Sequence, residues 1–178
     1  LLFILLSQIG VLKMGLDNIP YEYPCIAEGL QAKGDEIDCN ENIDNGKCPW
    51  HREMSDAGLA VHGMFGTHCW YRGKTGNYML SELAEHGYRP PKDAWGEHLS
   101  FYGDWNPNYV EEGDVSTEEI LSPEGCLMLA NWMFFHAEVY ASIANTEHET
   151  LEEAIEYYRY AINWLKFTAT YGGSRVWY

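Results

Sequence analysis

The amino-acid sequence predicts an α+β fold, in which a small Gly-rich, Cys-containing N-terminal region packs on a C-terminal antiparallel helical hairpin. Three observations lead there. Four of the five cysteines lie before residue 70, in a stretch dense in glycine and turn signals. The last third carries two strong helix-start signals, each followed by a long apolar segment. The chain has 178 residues, 46% hydrophobic and 15% aromatic, and folding at this size buries roughly 70% of the surface the unfolded chain exposes.

Residues 1–13, LLFILLSQIGVLK, are apolar but shorter than the roughly 20 residues of a bilayer span. They lack the charged start and the small-residue cleavage site of a signal peptide. The preferred reading is a non-native or upstream segment ahead of a start at Met14; a signal-peptide remnant and an element of the core are the alternatives. Residues 14–88 form the Gly/Cys-rich region. Turn signals stand at Ala32-Lys33-Gly34-Asp35 and Asp44-Asn45-Gly46-Lys47, where Asn and Gly tolerate positive φ. Short strands and close turns are expected up to Gly76, with no long helix. A helix of two to three turns follows over Asn77–His86, with Asn77 as N-cap, Met79, Leu80 and Leu83 on one side, and Gly87 at the left-handed stop.

Residues 89–178 hold an aromatic loop and the hairpin, and the whole is expected to be one compact domain. The loop, 95–109, interleaves Trp95, Phe101, Tyr102, Trp105 and Tyr109 with glycine and proline. Ser116-Thr117-Glu118-Glu119 has capping-box spacing, and Ser122-Pro123-Glu124 places a cap, a proline at the first helical position and an acid in the first turn. From Cys126 to Ala144 the sequence is apolar on nearly every face, which predicts a buried central helix. Thr150-Leu151-Glu152-Glu153 is a further capping box. Apolar residues from Leu151 to Leu165 then repeat at three and four, predicting an amphipathic helix of about five turns that ends near Tyr171-Gly172-Gly173.

The charge excludes some functions. With 11 Lys and Arg against 27 Asp and Glu, the formal net charge is -16. Phosphate backbones are bound by cations, so nucleic acid is not an expected partner, and an anionic membrane surface would be repelled. Of the acids 19 are Glu, no more than two are adjacent, and many fall where helices are predicted. That distribution reads as solvated helix faces.

The cysteines carry the chemistry most open to argument. Cys25, Cys39, Cys48 and Cys69 are accompanied by two histidines, in Cys48-Pro49-Trp50-His51 and His68-Cys69. Thiolate and imidazole together suit tetrahedral Zn²⁺, which would staple an irregular Gly-rich region. The expected ligands are the four cysteines, with His51 and His68 in reserve, and a structural Zn²⁺ is the expected cofactor. The spacing is not that of a zinc ribbon, so disulfides, reduced buried thiols and an iron–sulfur centre stay open. Cys126, on the buried helix, reads as core packing.

Enzyme signatures fail one by one. Gly73-Lys74-Thr75 lacks the glycine five residues earlier that a phosphate-binding loop needs, since His68 stands there. His136-Ala137-Glu138 has the spacing of zinc deaminases without the Pro-Cys-x-x-Cys that must follow. His136, His98 and His62 read as lone hydrogen-bonding residues, and Arg72 with Lys74 as a surface turn.

Met14-Gly15-Leu16-Asp17-Asn18-Ile19-Pro20, Tyr23-Pro24-Cys25, Gly63-Met64-Phe65-Gly66 and Cys69-Trp70-Tyr71-Arg72-Gly73 resemble segments of a group of small uncharacterised proteins of phages and bacteria. The resemblance covers the first half of the chain, implies a start at Met14 and the four cysteines as a set, and brings no activity. The expected function is a soluble binding or accessory factor, leaning away from an enzyme, with a protein or small molecule as partner. Its expected location is cytoplasmic, or secreted if residues 1–13 are a signal-peptide remnant. One alternative is a metal-dependent hydrolase at a Cys/His site with Glu53 as base. The other is a small-ligand or carbohydrate binder using the 95–109 loop.

Overall fold

The computed structural model of the chain describes residues 17–22, 24, 29, 32–33, 36–37, 46–58, 71–93, 96, 98–101, 120–145 and 150–177. Helices carry most of these residues and pack on one another, while the strands are short. The expected α+β organisation is therefore met only loosely.

The strands are β1 (Asp17–Pro20), β2 (Ala32–Lys33), β3 (Glu36–Ile37), β4 (Tyr71–Arg72), β5 (Ile120–Leu121) and β6 (Ser174–Trp177). Four of them form an antiparallel sheet in the order β4-β1-β6-β5. Its centre joins the two ends of the described chain, with Asp17 opposite Trp177 and Pro20 opposite Ser174. The β2–β3 pair takes in Ala32 and Lys33 of the predicted turn signal as its first strand, with Lys33 opposite Glu36.

The helices are α1 (Pro49–Asp56), α2 (Gly73–Glu85), α3 (Pro123–Phe135), α4 (Ala137–Ile143) and α5 (Leu151–Ala169). α5 forms as its sequence dictates. The Thr150 side chain accepts from the Glu153 N–H at 3.2 Å, and the Glu153 carboxylate accepts from the Thr150 N–H at 2.8 Å, a complete capping box. Its stripe of Ala154, Tyr158, Ala161, Ile162 and Leu165 is buried. Beyond Ala169 the chain turns through Gly172 and Gly173, both at positive φ, into β6. A side chain at Gly173 would run into the carbonyl oxygen of Leu121, so the close approach of β5 requires glycine there.

α3 starts on the predicted cap, Ser122 Oγ accepting from the Gly125 N–H at 3.0 Å, with Pro123 in the first turn. It runs opposite to α5: the Tyr158 hydroxyl donates to the Met133 carbonyl at 2.8 Å, while Thr168, further along α5, meets Cys126, earlier in α3. Two expectations for this segment need correction. The helix does not continue to Ala144; it breaks at His136, after which α4 begins. Nor is it buried all round, because α5 covers one side only and leaves Leu127, Met128, Phe134 and Phe135 exposed.

α2 begins at Gly73, four residues before the predicted start. Asn77 therefore lies inside the helix, and its side-chain oxygen accepts from the Phe101 N–H at 3.1 Å instead of capping. Met79, Leu80 and Leu83 are buried as read, and Gly87 sits at φ 90°, the left-handed stop. α1 is a helix the sequence did not announce. Its Trp50 enters the core among Tyr160, Trp164 and Phe167 of α5, and the indole N–H donates to the Tyr160 hydroxyl at 2.9 Å. Among the described residues no helix is long and apolar enough to cross a membrane. The capping-box signal at Ser116-Thr117-Glu118-Glu119 lies outside the described residues.

Candidate functional site

Two of the six expected metal ligands lie within the described residues. Cys48 is the N-cap of α1, and His51 occupies the third helical position. A cap side chain and the side chain three residues on share one side of the first turn, which is why Cys-x-x-His can present two ligands to one ion. Cys48 is a buried free thiol making no capping hydrogen bond, and His51 is half-buried. Cys25, Cys39, Cys69 and His68 lie outside the described residues. Among the described residues, no group of three or more His, Cys, Asp or Glu is placed to hold a metal ion. Glu53, the base of the hydrolase reading, is exposed on α1.

Cys126 is fully buried between α3, α5 and β6. Its thiol donates to the Leu121 carbonyl at 3.6 Å and receives the Thr168 hydroxyl at 3.6 Å. Burial pushes it up to about 11, against weaker opposing effects from Thr168 and the Ser174 backbone. A thiol held neutral in this way is packing, neither nucleophile nor ligand at neutral pH.

His136 marks the break between α3 and α4. Its Nδ1 lies 2.8 Å from the Trp132 carbonyl, its ring stacks on Trp132 at 4.3 Å, and Tyr88 meets it edge-on at 5.6 Å. It is half-buried, so the lone hydrogen-bonding reading holds, though at a helix junction instead of deep in the core. His98 is exposed, with Nδ1 2.8 Å from the Pro90 carbonyl. His62 lies outside the described residues, and of Arg72 and Lys74 only the backbone, in β4 and α2, is described.

The aromatic loop contributes one described aromatic residue. Phe101 is buried against α2, where a Cβ on Gly76 would come within 2.5 Å of its ring. That side chain is core, with no face left to stack on a ligand. Trp95, Tyr102, Trp105 and Tyr109 lie outside the described residues.

The feature sequence reasoning missed is the outer face of α3. Leu127 and Met128 are 45% and 46% exposed, Phe134 60% and Phe135 80%. Separations of six to eight residues, about two helical turns, place Phe134 and Phe135 on the same side of the helix as Leu127 and Met128, opposite Cys126, Leu129, Ala130 and Met133. Phe134 and Phe135 meet edge-on at 5.9 Å, and Lys166 Nζ of α5 stands 5.4 Å from the Phe134 ring centre. The signal was present in the sequence: α3 is apolar all round, while among the described residues α5 is the helix that packs along it, on one side.

Comparisons with protein-family models, with curated proteins and with solved structures find no match to this chain.

Proposed function

We propose that this chain is a binding or accessory protein whose contact surface is the outer face of α3. The observation that carries this reading is the exposure of Leu127, Met128, Phe134 and Phe135, arranged around the exposed Asn131, on a helix whose opposite side is fully buried. Single surface hydrophobics need no explanation, whereas four large ones grouped on one helix face mark a surface where a partner binds. A native protein that takes up an uncharged apolar dye such as Nile red, and loses that uptake in a Phe134→Ser, Phe135→Ser variant with unchanged far-UV circular dichroism, fits this reading. No dye uptake by the parent protein refutes it.

The same proposal includes a structural Zn²⁺, or a cysteine staple, held by Cys25, Cys39, Cys48 and Cys69 with His51 and His68 in reserve. Support comes from the buried Cys48 and adjacent His51 in the first turn of α1. The Trp50 contacts with α5 would transmit any loosening there directly to the core. Elemental analysis combined with thiol counting under denaturing conditions tests it. One zinc per chain supports the ion, two fewer free thiols per bridge support disulfides, and neither result leaves the staple without basis. The hydrolase and loop-binder alternatives depend mainly on residues outside those described, and no observation favours either.

A further inference from the structure

We infer that the outer face of α3 receives an amphipathic helical segment of another protein, apolar along one side and flanked at both ends by lysine or arginine. This rests on the reading of that face as a contact surface. The exposed residues 124, 127, 128, 131, 134, 135 and 138 follow helical spacing on either side of the break at His136. Between the ends this face is apolar except for Asn131. Its two ends are exposed carboxylates, Glu124 in the first turn of α3 and Glu138 in the first turn of α4. A partner helix lying along α3 would reach both ends with its flanking side chains.

The four apolar side chains are only between 45% and 80% exposed, so their burial only partly offsets the freedom of motion lost on association. The apolar stripe alone is therefore marginal, and attraction at its ends decides which partner stays. A second copy of this chain fails that criterion. In either two-fold arrangement of two such stripes Glu meets Glu, and each copy carries a formal charge of -16. A helix with basic flanks turns both carboxylates, and the field of the whole chain, into attraction. Lys166 does not oppose this, because it already lies against the Phe134 ring on the side toward α5.

The test uses the full chain and two fluorescein-labelled 18-residue helical peptides that share leucine positions, one completed with lysine and one with glutamate. Fluorescence anisotropy at about 0.15 M salt, where screening acts over about 8 Å, is expected to show binding of the Leu/Lys peptide alone. A Leu127→Asp, Phe135→Asp variant is expected to lose at least tenfold in affinity for it, although the variant is more acidic. Reversing the ends, with Glu124→Lys and Glu138→Lys, is expected to weaken the Leu/Lys peptide and favour the Leu/Glu one. Undiminished binding by the aspartate variant would mean attraction to bulk charge and overturn the inference. So would equal affinity of the parent for both peptides. A concentration-dependent dimer in sedimentation that the aspartate variant abolishes would assign the face to a second copy. Peptide binding seen only after deletion of residues 1–13 would assign it to the chain's own apolar segment. If the dye marks this face and the Leu/Lys peptide does not bind, only the partner chemistry falls; if the dye fails too, the contact-surface reading beneath it falls.

Discussion

α3 and α5 lie against each other in opposite directions, and each starts on a side-chain cap, yet they sort their residues differently. α5 turns Tyr158, Ala161, Trp164 and Leu165 inward and presents Glu152, Glu153, Arg159 and Lys166 to solvent. α3 turns Cys126, Leu129, Ala130 and Met133 inward but presents Leu127, Met128, Phe134 and Phe135 outward. A helix packed against one layer buries a stripe little more than 100° wide. The inner stripe of α3 meets that need, so its outer apolar residues are surplus to the fold. The difference separates residues that hold the structure from residues free to serve another purpose.

The sharpest way to break that comparison is to truncate one large aromatic residue on each side. Trp50 packs at 5.2 Å from Tyr160, 5.4 Å from Trp164 and 4.8 Å from Phe167, and donates a hydrogen bond to Tyr160. Trp50→Ala is expected to destabilise the protein by about 3–5 kcal/mol in urea titration. Phe135→Ala, at 80% exposure, is expected to stay within about 0.5 kcal/mol of the parent. A loss of several kcal/mol in the second variant would make the outer face of α3 part of the fold and remove the grounds for treating it as a contact surface.

Alkaline pH sharpens the comparison from the inner side. The Cys126 thiol is raised from 9.0 to about 11 by burial. Below pH 9 it is protonated in both the folded and unfolded chains and does not make stability pH-dependent. Between pH 9 and 11 the unfolded chain releases this proton first, so the unfolded state binds fewer protons and stability falls as pH rises. The shift corresponds to a loss on the order of 2–3 kcal/mol once pH passes the folded value. Urea titrations of the parent and of Cys126→Ala at pH 8 and pH 10.5 check this: the parent should lose more stability between them than the variant. An equal loss would mean that another group controls the alkaline limb. Tyr158, also raised well above the usual phenol range by burial, adds to the decline from about pH 10 upward in both proteins, so the difference between parent and variant isolates Cys126.

What the sequence revealed of these two helices follows from how local their determinants are. A capping box needs only Thr150 and Glu153, a Ser-Pro-Glu start needs only three consecutive residues, and Gly87 ends α2 through its own backbone freedom. All three were legible. The central sheet was not, because β1 is the short, unalternating Asp17-Asn18-Ile19-Pro20 and becomes a strand by pairing with residues 71–72 on one side and 174–177 on the other, both far along the chain. α1 escaped notice because Cys48 makes no capping hydrogen bond and its helix of eight residues is held by the insertion of Trp50 against α5. The metal candidate was legible as a list of residue types, of which the described residues bring together only Cys48 and His51. The outer face of α3 was misread because a helix apolar all round implies burial only when enough partners surround it.

The break at His136 was illegible for a related reason, and its cause gives a smaller expected loss than those at Trp50 and Cys126. Nothing within the segment is a helix breaker; glycine and proline are absent between Leu127 and Ala144. In a continuous helix the Met133 carbonyl would accept from the N–H of Ala137. Here it accepts from the His136 N–H at 3.0 Å and from the Tyr158 hydroxyl of α5 at 2.8 Å, while His136 Nδ1 lies on the preceding carbonyl, that of Trp132. A side chain inserted into the carbonyl ladder is a known cause of kinks, and this one arrives from 25 residues away. Tyr158→Phe removes the inserted hydroxyl and keeps the ring that stacks on Tyr140 at 4.3 Å. The carbonyl retains the His136 N–H, so the cost should be only about 1 kcal/mol. Met133 then becomes available to Ala137, and hydrogen exchange at the Ala137 amide is expected to slow in the variant even though the protein as a whole is less stable. Faster exchange there, following the global loss, would show that the break is set by the His136 and Trp132 pair, with Tyr158 contributing packing alone.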